Sequence, residues 1–200
     1  MSRRRLVLAS ANPDKAAEMA EILGGEFELV ARPGDVPDVE ESAGTLEGNA
    51  RLKAEAICAA TGLPALADDT GLEVDALRGA PGVHSARWAA KSIRPGMPVD
   101  EANVAKLLAA LSAAPNRDRR ARFRTVVVVV FPDGGSVTAE GTVRGHITDA
   151  PRGAGGFGYD PVFVPDEGDG RTFAEMSRAE KHAISHRGRA LRAMVAELGR

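Results

Sequence analysis

Four short stretches of the chain gather side chains that could do chemistry. The first is Ser10, Ala11, Asn12, Pro13, Asp14 and Lys15. A helix opening here would present unpaired N–H groups and a positive dipole end to an anion, with Ser10, Asn12 and Lys15 adding donors and a charge. Ser, Asn and Asp are also ordinary helix-capping residues, so the segment by itself leaves both readings open. It lacks the glycines of a P-loop, which argues against a Walker-type nucleotide site. The second stretch is Asp68-Asp69-Thr70-Gly71, read as a strand that ends in a turn. Hard carboxylate oxygens suit Mg²⁺, and a metal beside a phosphate chain is a common reason to collect them at a strand end. Successive strand side chains point to opposite faces, so the two aspartates need not share one metal. Asp69, nearer the turn, is the preferred ligand, with Asp68 supporting it or capping the turn. An acidic loop holding Asp38, Glu40 and Glu41 could supply a further ligand, or form a solvated charge cluster.

The third stretch runs through the glycines at 153, 155, 156 and 158 to Phe157, Tyr159 and Asp160. Glycine allows close backbone approach and positive φ. The two rings stand out in a chain with 4% aromatic residues. An aromatic face can stack on a nucleobase and Asp160 can accept from a base or ribose, although a tight turn with two core aromatics would read the same. The fourth gathers Lys181, His182, His186, Arg187 and Arg189, donors for phosphate or a base carbonyl, or a basic solvated helix face. His182 and His186 are spaced to share one helix face, which raises zinc. No Glu completes a His-Glu-x-x-His motif, and the lone Cys58 offers no third ligand. Gly188 leaves open a helix start near His186. Elsewhere, Ser10 and Ser85 have no supporting Ser–His–Asp pattern. The five arginines between Arg117 and Arg124, with Asp118 and the single aromatic Phe123, read as a solvated hairpin base rather than a nucleic-acid contact.

The elements that must position these residues alternate. Residues 5–10 are a short apolar run, as for a buried strand. Residues 12–14 cap a helix with Ala16, Met19, Ala20 and Leu23 at helical spacing, ended by Gly24 and Gly25. Residues 27–31 form a second strand and 32–44 a Pro/Gly-rich acidic loop. A second helix begins at Thr45, with Leu46, Ala50, Lys53, Ala54 and Ile57 on connected faces, and ends at residues 62–64. Residues 65–68 are a short strand and 72–77 a strand or hairpin, followed by the Gly/Pro stretch 79–82. Residues 97–114 are a helix. The five consecutive valines within 125–131 give the strongest strand signal, since β-branched side chains suit a sheet buried on both faces. Residues 132–135 turn the chain and 136–148 pair back. A strand at 162–164 and a helical region from 179 to about 198 close the chain. The pattern is α/β, a mixed sheet with flanking helices, the long hairpin giving a second lobe.

Composition narrows the function classes. With 200 residues the chain fits one domain, or two lobes with no separate linker, and needs no covalent staple. Hydrophobic residues at 44% and charged residues at 27% are globular values. The net charge of −2 gives no global pull toward nucleic acid or anionic lipid. No apolar run approaches the ~20 residues of a membrane span, and Met1–Arg5 leads straight into an apolar run without a cleavage-type segment. One cysteine, Cys58, excludes an intramolecular disulfide and fits a reducing, cytoplasmic compartment. With 21 Arg against 5 Lys, a surplus arginine carries little functional weight.

Together the blocks resemble the inosine-triphosphate pyrophosphatase family. The likeness rests on Leu-Ala-Ser-Ala-Asn-Pro-Asp-Lys with Glu18, on the long block Ala67–Arg87, and on Gly156-Phe-Gly-Tyr-Asp-Pro-Val-Phe163. Thr172-Phe-Ala-Glu-Met-Ser177, Lys181 and Ser185-His-Arg-Gly188 complete it. The resemblance implies an elongated mixed α/β sheet with two lobes and a nucleotide cleft between them, a homodimer, and a Mg²⁺-dependent hydrolase. Its reaction would cleave purine nucleoside triphosphates with an oxygen at position 6 (ITP, dITP, XTP) to the monophosphate and pyrophosphate, clearing them from the nucleotide pool. Carried over by position, Ser10, Ala11, Asn12, Pro13, Asp14 and Lys15 would hold the phosphates. Glu41 and Asp69 would bind the metal, with Asp69 the base. Thr70, Phe157, Gly158, Tyr159, Asp160, Lys181, His186 and Arg187 would line the nucleoside pocket. Three positions depart from the family's pattern: Thr70 where Ser is usual, His84 where an aromatic is frequent, and Gly48 where an acidic residue is frequent. Two other readings compete. One is a Maf-type nucleotide pyrophosphatase, which the Asp-Asp-Thr-Gly and Ser-His-Arg-Gly blocks argue against. The other is a sensor that binds a triphosphate without cleaving it.

Overall fold

The run of valines lies in β5 (Arg120–Val130), where Val126 to Val130 are all buried. A computed structural model describes residues 3–90, 93, 96–116 and 118–199. Around β5 stand β1 (Arg5–Leu8), β2 (Glu28–Ala31), β3 (Ala65–Val74), β4 (Pro81–Gly82), β6 (Ser136–Ile147) and β7 (Phe163–Pro165). They form one sheet in the order β2-β1-β3-β5-β6-β7, with β4 on β3. β1 pairs in parallel with β2 and with β3, while β4 on β3 and β7 on β6 are antiparallel. The described residues also form five α-helices: α1 (Pro13–Leu23), α2 (Leu46–Thr61), α3 (Val99–Ala113), α4 (Arg178–Ile184) and α5 (His186–Leu198). This is the mixed α/β class the sequence predicts. Among the described residues no helix is long and apolar enough to cross a membrane.

Local chemistry accounts for the boundaries. Asn12 Oδ1 accepts the Asp14 and Lys15 N–H groups and starts α1. Thr45 Oγ1 accepts from Gly48 N and starts α2, which Gly62 ends at φ +65°. Glu175 and Thr172, then Glu180 and Ser177, form two successive capping boxes that lead into α4.

Three expectations are corrected. Asp69, Thr70 and Gly71 are not a turn: β3 runs unbroken through them, because the side chains of Asp68 and Asp69 are satisfied inside the protein and need no turn at the surface. β5 begins at Arg120, well before the predicted residue 125, because Ala121 and Phe123 alternate inward while Arg120 and Arg122 stay exposed. Arg117 of that cluster lies outside the described residues. The closing helical region is two helices, since Ser185 is extended (φ −67°, ψ 154°) and α5 starts at His186. The open reading of a helix start before Gly188 is the one observed, and His182 and His186 therefore do not share one continuous helix face.

Residues cluster into two compact units. Unit 1 comprises Met1–Asp69, Thr125–Gly141 and His186–Arg200; unit 2 comprises Thr70–Arg124 and Thr142–Ser185. The β5–β6 hairpin contributes residues to both units. Unit 1 has a core of Leu6, Met19, Leu23, Leu66, Val127, Leu191 and Met194. Unit 2 has one built on Leu72, Leu107, Phe123, Phe163 and Phe173, with the Phe123 and Phe163 rings edge-on at 4.7 Å. Burying each such side chain contributes about 1.5–3 kcal/mol.

Candidate active site

Four charges alternate in sign inside unit 1. Lys15 Nζ lies 3.2 Å from Asp68 Oδ2, and Arg187 donates through Nε and Nη2 to the same oxygen, each at 3.1 Å. Arg187 Nη1 also donates to Glu18 Oε2. Asp68 and Arg187 are each 2% exposed. Burial alone would raise the Asp68 pKa, but the charges of Lys15, Arg187 and Lys53 outweigh it and hold the carboxyl well below the ordinary range. Burial, only partly offset by Asp68, pulls the Lys15 pKa down.

The next residue of β3 belongs to a different group, as strand alternation requires. Asp69 Oδ1 accepts from Lys53 Nζ at 3.1 Å and its Oδ2 from Asn49 Nδ2 at 3.2 Å. Lys53 Nζ also donates to Glu41 Oε1 at 3.0 Å. α2 therefore supplies both partners of Asp69 and ties in the acidic loop through Glu41, not Glu40. Burial raises the Asp69 pKa above the ordinary value despite the nearby lysines, which makes it the better proton acceptor of the two aspartates. Two carboxylates converging on one cation form a hard-oxygen donor set that fits a divalent ion of the Mg²⁺ type. Such an ion takes one or two carboxylates and fills its shell with water and phosphate oxygens. No cluster of three or more His, Cys, Asp or Glu suited to a metal occurs among the described residues.

At the start of α1, Ala11, Asn12, Pro13 and Asp14 are exposed and Ser10 is half-buried. The Asn12 side chain is occupied in capping, and Ser10 Oγ lies 3.3 Å from both the N and the O of Asn12. The Lys15 side chain turns to Asp68. His186 and Arg187 form the buried first turn of α5, in unit 1.

Unit 2 holds the remaining predicted residues. Lys181 Nζ donates to Asp160 Oδ2 at 2.7 Å and lies 4.8 Å from the centroid of the Phe157 ring. The same carboxylate oxygen accepts the Phe157 N–H at 2.9 Å. Gly156, at φ +68°, makes this possible: a Cβ there would overlap the Asp160 carboxylate. Phe157 and Gly158 are half-buried, and Thr70 is half-buried beside Asp69 on β3. Tyr159 is a core residue, 4% exposed, with its hydroxyl donating to Ser85 O at 3.0 Å. Of the two expected rings, only Phe157 offers part of a face. Burial, then the charge of Asp100, holds the Tyr159 phenol protonated well above its ordinary pKa.

The types and spacing of Lys53, Asn49 and Glu18 do not by themselves mark these residues for chemistry. The signal existed for Lys53: it falls on the α2 face shared by Leu46, Ala50, Ala54 and Ile57, where a charge demands a partner.

A family model described as the Ham1 family matches residues 6–197. The dITP/XTP pyrophosphatase of Symbiobacterium thermophilum is 50% identical over 192 residues, covering 96% of this chain and 93% of its own. That of Geobacter sulfurreducens is 48% identical over 198 residues, covering 98% and 96%. The structure of a HAM1 protein from Coxiella burnetii superposes with a TM-score of 0.87 at 42% identity, covering 98% of each chain. Sequence and fold agree over nearly the whole chain: it belongs to the Ham1 family.

Proposed function

We propose that this protein is a nucleoside-triphosphate pyrophosphatase that hydrolyses purine triphosphates carrying a 6-oxygen (ITP, dITP, XTP) to the monophosphate and pyrophosphate. The observation that carries the reading is the pair Glu41 and Asp69 converging on one cation, beside the buried Lys15–Asp68–Arg187 chain. Relatives of known name, dITP/XTP pyrophosphatases at 48–50% identity over nearly the whole chain, support it.

In this reading Glu41 and Asp69 hold Mg²⁺, which when bound supplies positive charge to the phosphate chain. Asp69 orients a water and takes its proton as the water oxygen bonds to the α-phosphorus. The bond from that phosphorus to the oxygen bridging to the β-phosphate breaks, and pyrophosphate leaves with those electrons. The residues from Ser10 to Lys15 hold phosphate oxygens, with the start of α1 and the Lys15 ammonium favouring negative charge. Phe157 stacks on the base and Lys181 donates toward O6. The amino group of adenine would set a donor against that donor, costing about 1–3 kcal/mol. Guanine also carries O6, so this contact does not distinguish it. The protein acts as a homodimer in the reducing cytoplasm, for which the single buried thiol of Cys58 is suited.

The test is pyrophosphate release from ITP, dITP, XTP, GTP, ATP and dTTP, with Mg²⁺ and after chelation. We expect kcat/KM for the 6-oxo purines at least ~100-fold above ATP, and loss of turnover on chelation. Asp69→Asn should bind ITP within a few-fold of wild type and lose about 10²–10⁴ in kcat. Orthophosphate as the first product would sink the α-phosphorus assignment, and tight binding without turnover would make the protein a sensor.

A further inference from the structure

Two loops of unit 2 are pinned by the first turns of α3. Asp100 Oδ2 accepts the Gly158 N–H at 2.7 Å. One turn further on, buried Asn103 accepts the Ala89 N–H through Oδ1 at 2.8 Å and donates through Nδ2 to Ala86 O at 3.1 Å. The Tyr159 hydroxyl joins the loops to each other through Ser85 O, and Ser85 Oγ in turn accepts the Leu72 N–H at 2.9 Å. The bonds close a ring: from Asp100 to Gly158, along the chain to Tyr159, across to Ser85, on to Ala86 and back to α3 at Asn103. Each tie joins a side chain to backbone, so the ring fixes main-chain position. Asp100 provides the charged acceptor, and charge-assisted bonds of this kind are the stronger ones. Gly158 lies between Phe157, whose ring faces Lys181, and the buried Tyr159–Asp160 pair. Its anchorage to a helix therefore sets where the Phe157 ring stands.

We propose that Asp100 is a positioning residue for base recognition: from the first turn of α3 its carboxylate holds the loop at Gly158, so that Phe157 and the Asp160–Lys181 pair meet the purine in one fixed arrangement. The proposal rests on the reading of Phe157 and Lys181 as purine contacts. Asp100 is exposed at a helix start, where substitution leaves the core intact.

The experiment compares wild type, Asp100→Ala and Asp100→Asn with ITP as substrate. Thermal midpoints and hydrogen exchange over residues 156–160 are measured on the same preparations. Asp100→Ala should raise KM about three- to tenfold, the loss of one charge-assisted bond, with kcat within about twofold of wild type. Exchange at the Gly158 amide should quicken in step. Asp100→Asn keeps an acceptor oxygen at the same place and should recover most of both effects. A lowered midpoint with unchanged KM reduces Asp100 to a helix-stabilising residue and overturns the proposal, as does unaltered exchange at Gly158. If wild type turns over ITP while Asp100→Ala matches it, the proposal alone fails. If wild type turns over no 6-oxo purine triphosphate, the functional reading fails and takes the proposal with it.

Discussion

At the scale of single residues, adjacent aspartates have opposite electrostatic circumstances. Asp68 is enclosed by cations and kept ionised, whereas Asp69 is raised by burial. Asp68 therefore acts as a structural charge. Because its folded pKa is depressed, its contribution to stability is complete above the unfolded value of ~4 and is lost as pH falls below that toward the folded value. Asp68→Asn removes one partner of a buried chain and leaves Lys15 and Arg187 undercompensated. We expect a loss of roughly 3–5 kcal/mol at neutral pH. The difference from wild type should shrink as the pH is lowered below ~4, because the unfolded wild-type chain then gains a proton at Asp68 that the folded protein, with its depressed pKa, does not. Urea midpoints of both proteins across acid pH check this, and a difference independent of pH would remove the charge from the explanation.

Among the elements, α5 depends on a close approach. A Cβ at Gly141 on β6 would collide with the carbonyl of His186 and the amide of Ala190, in the first turn and a half of α5. Gly141→Ala should therefore displace the turn that bears His186 and Arg187, at a cost of about 1–3 kcal/mol or more. A lowered thermal midpoint together with reduced ITP turnover is the expected result, and a midpoint equal to wild type would show that the helix shifts freely. The sequence contains this glycine without announcing it, since its neighbour lies far along the chain. The same limit applies to Asp100, whose partner is also distant. Signals carried by adjacent residues are legible: Asn12 caps α1 and the valines form β5. Asp69 to Gly71 misled because Asp, Thr and Gly are turn residues only when their polar groups need water. Here Lys53 and Asn49 satisfy Asp69 and the strand continues.

On the scale of the whole molecule, neither compact unit is a single stretch of chain. The core of unit 1 takes Ala190, Leu191 and Met194 from α5, all fully buried. A chain ending after Ser185 should lose the cooperative unfolding of unit 1 and bind a hydrophobic dye. Cooperative unfolding at the wild-type midpoint would show that α5 is dispensable. The division of segments also has a temporal side. Every segment of unit 2 lies between Thr70 and Ser185, whereas unit 1 draws on both Met1–Asp69 and His186–Arg200. Translation proceeds from the amino end at about 5–20 residues per second, so the first 69 residues are made well before Ala190, Leu191 and Met194, which complete their core. Unit 2 receives its full complement of segments in the meantime. The enclosed part of the message can finish folding before the part that encloses it.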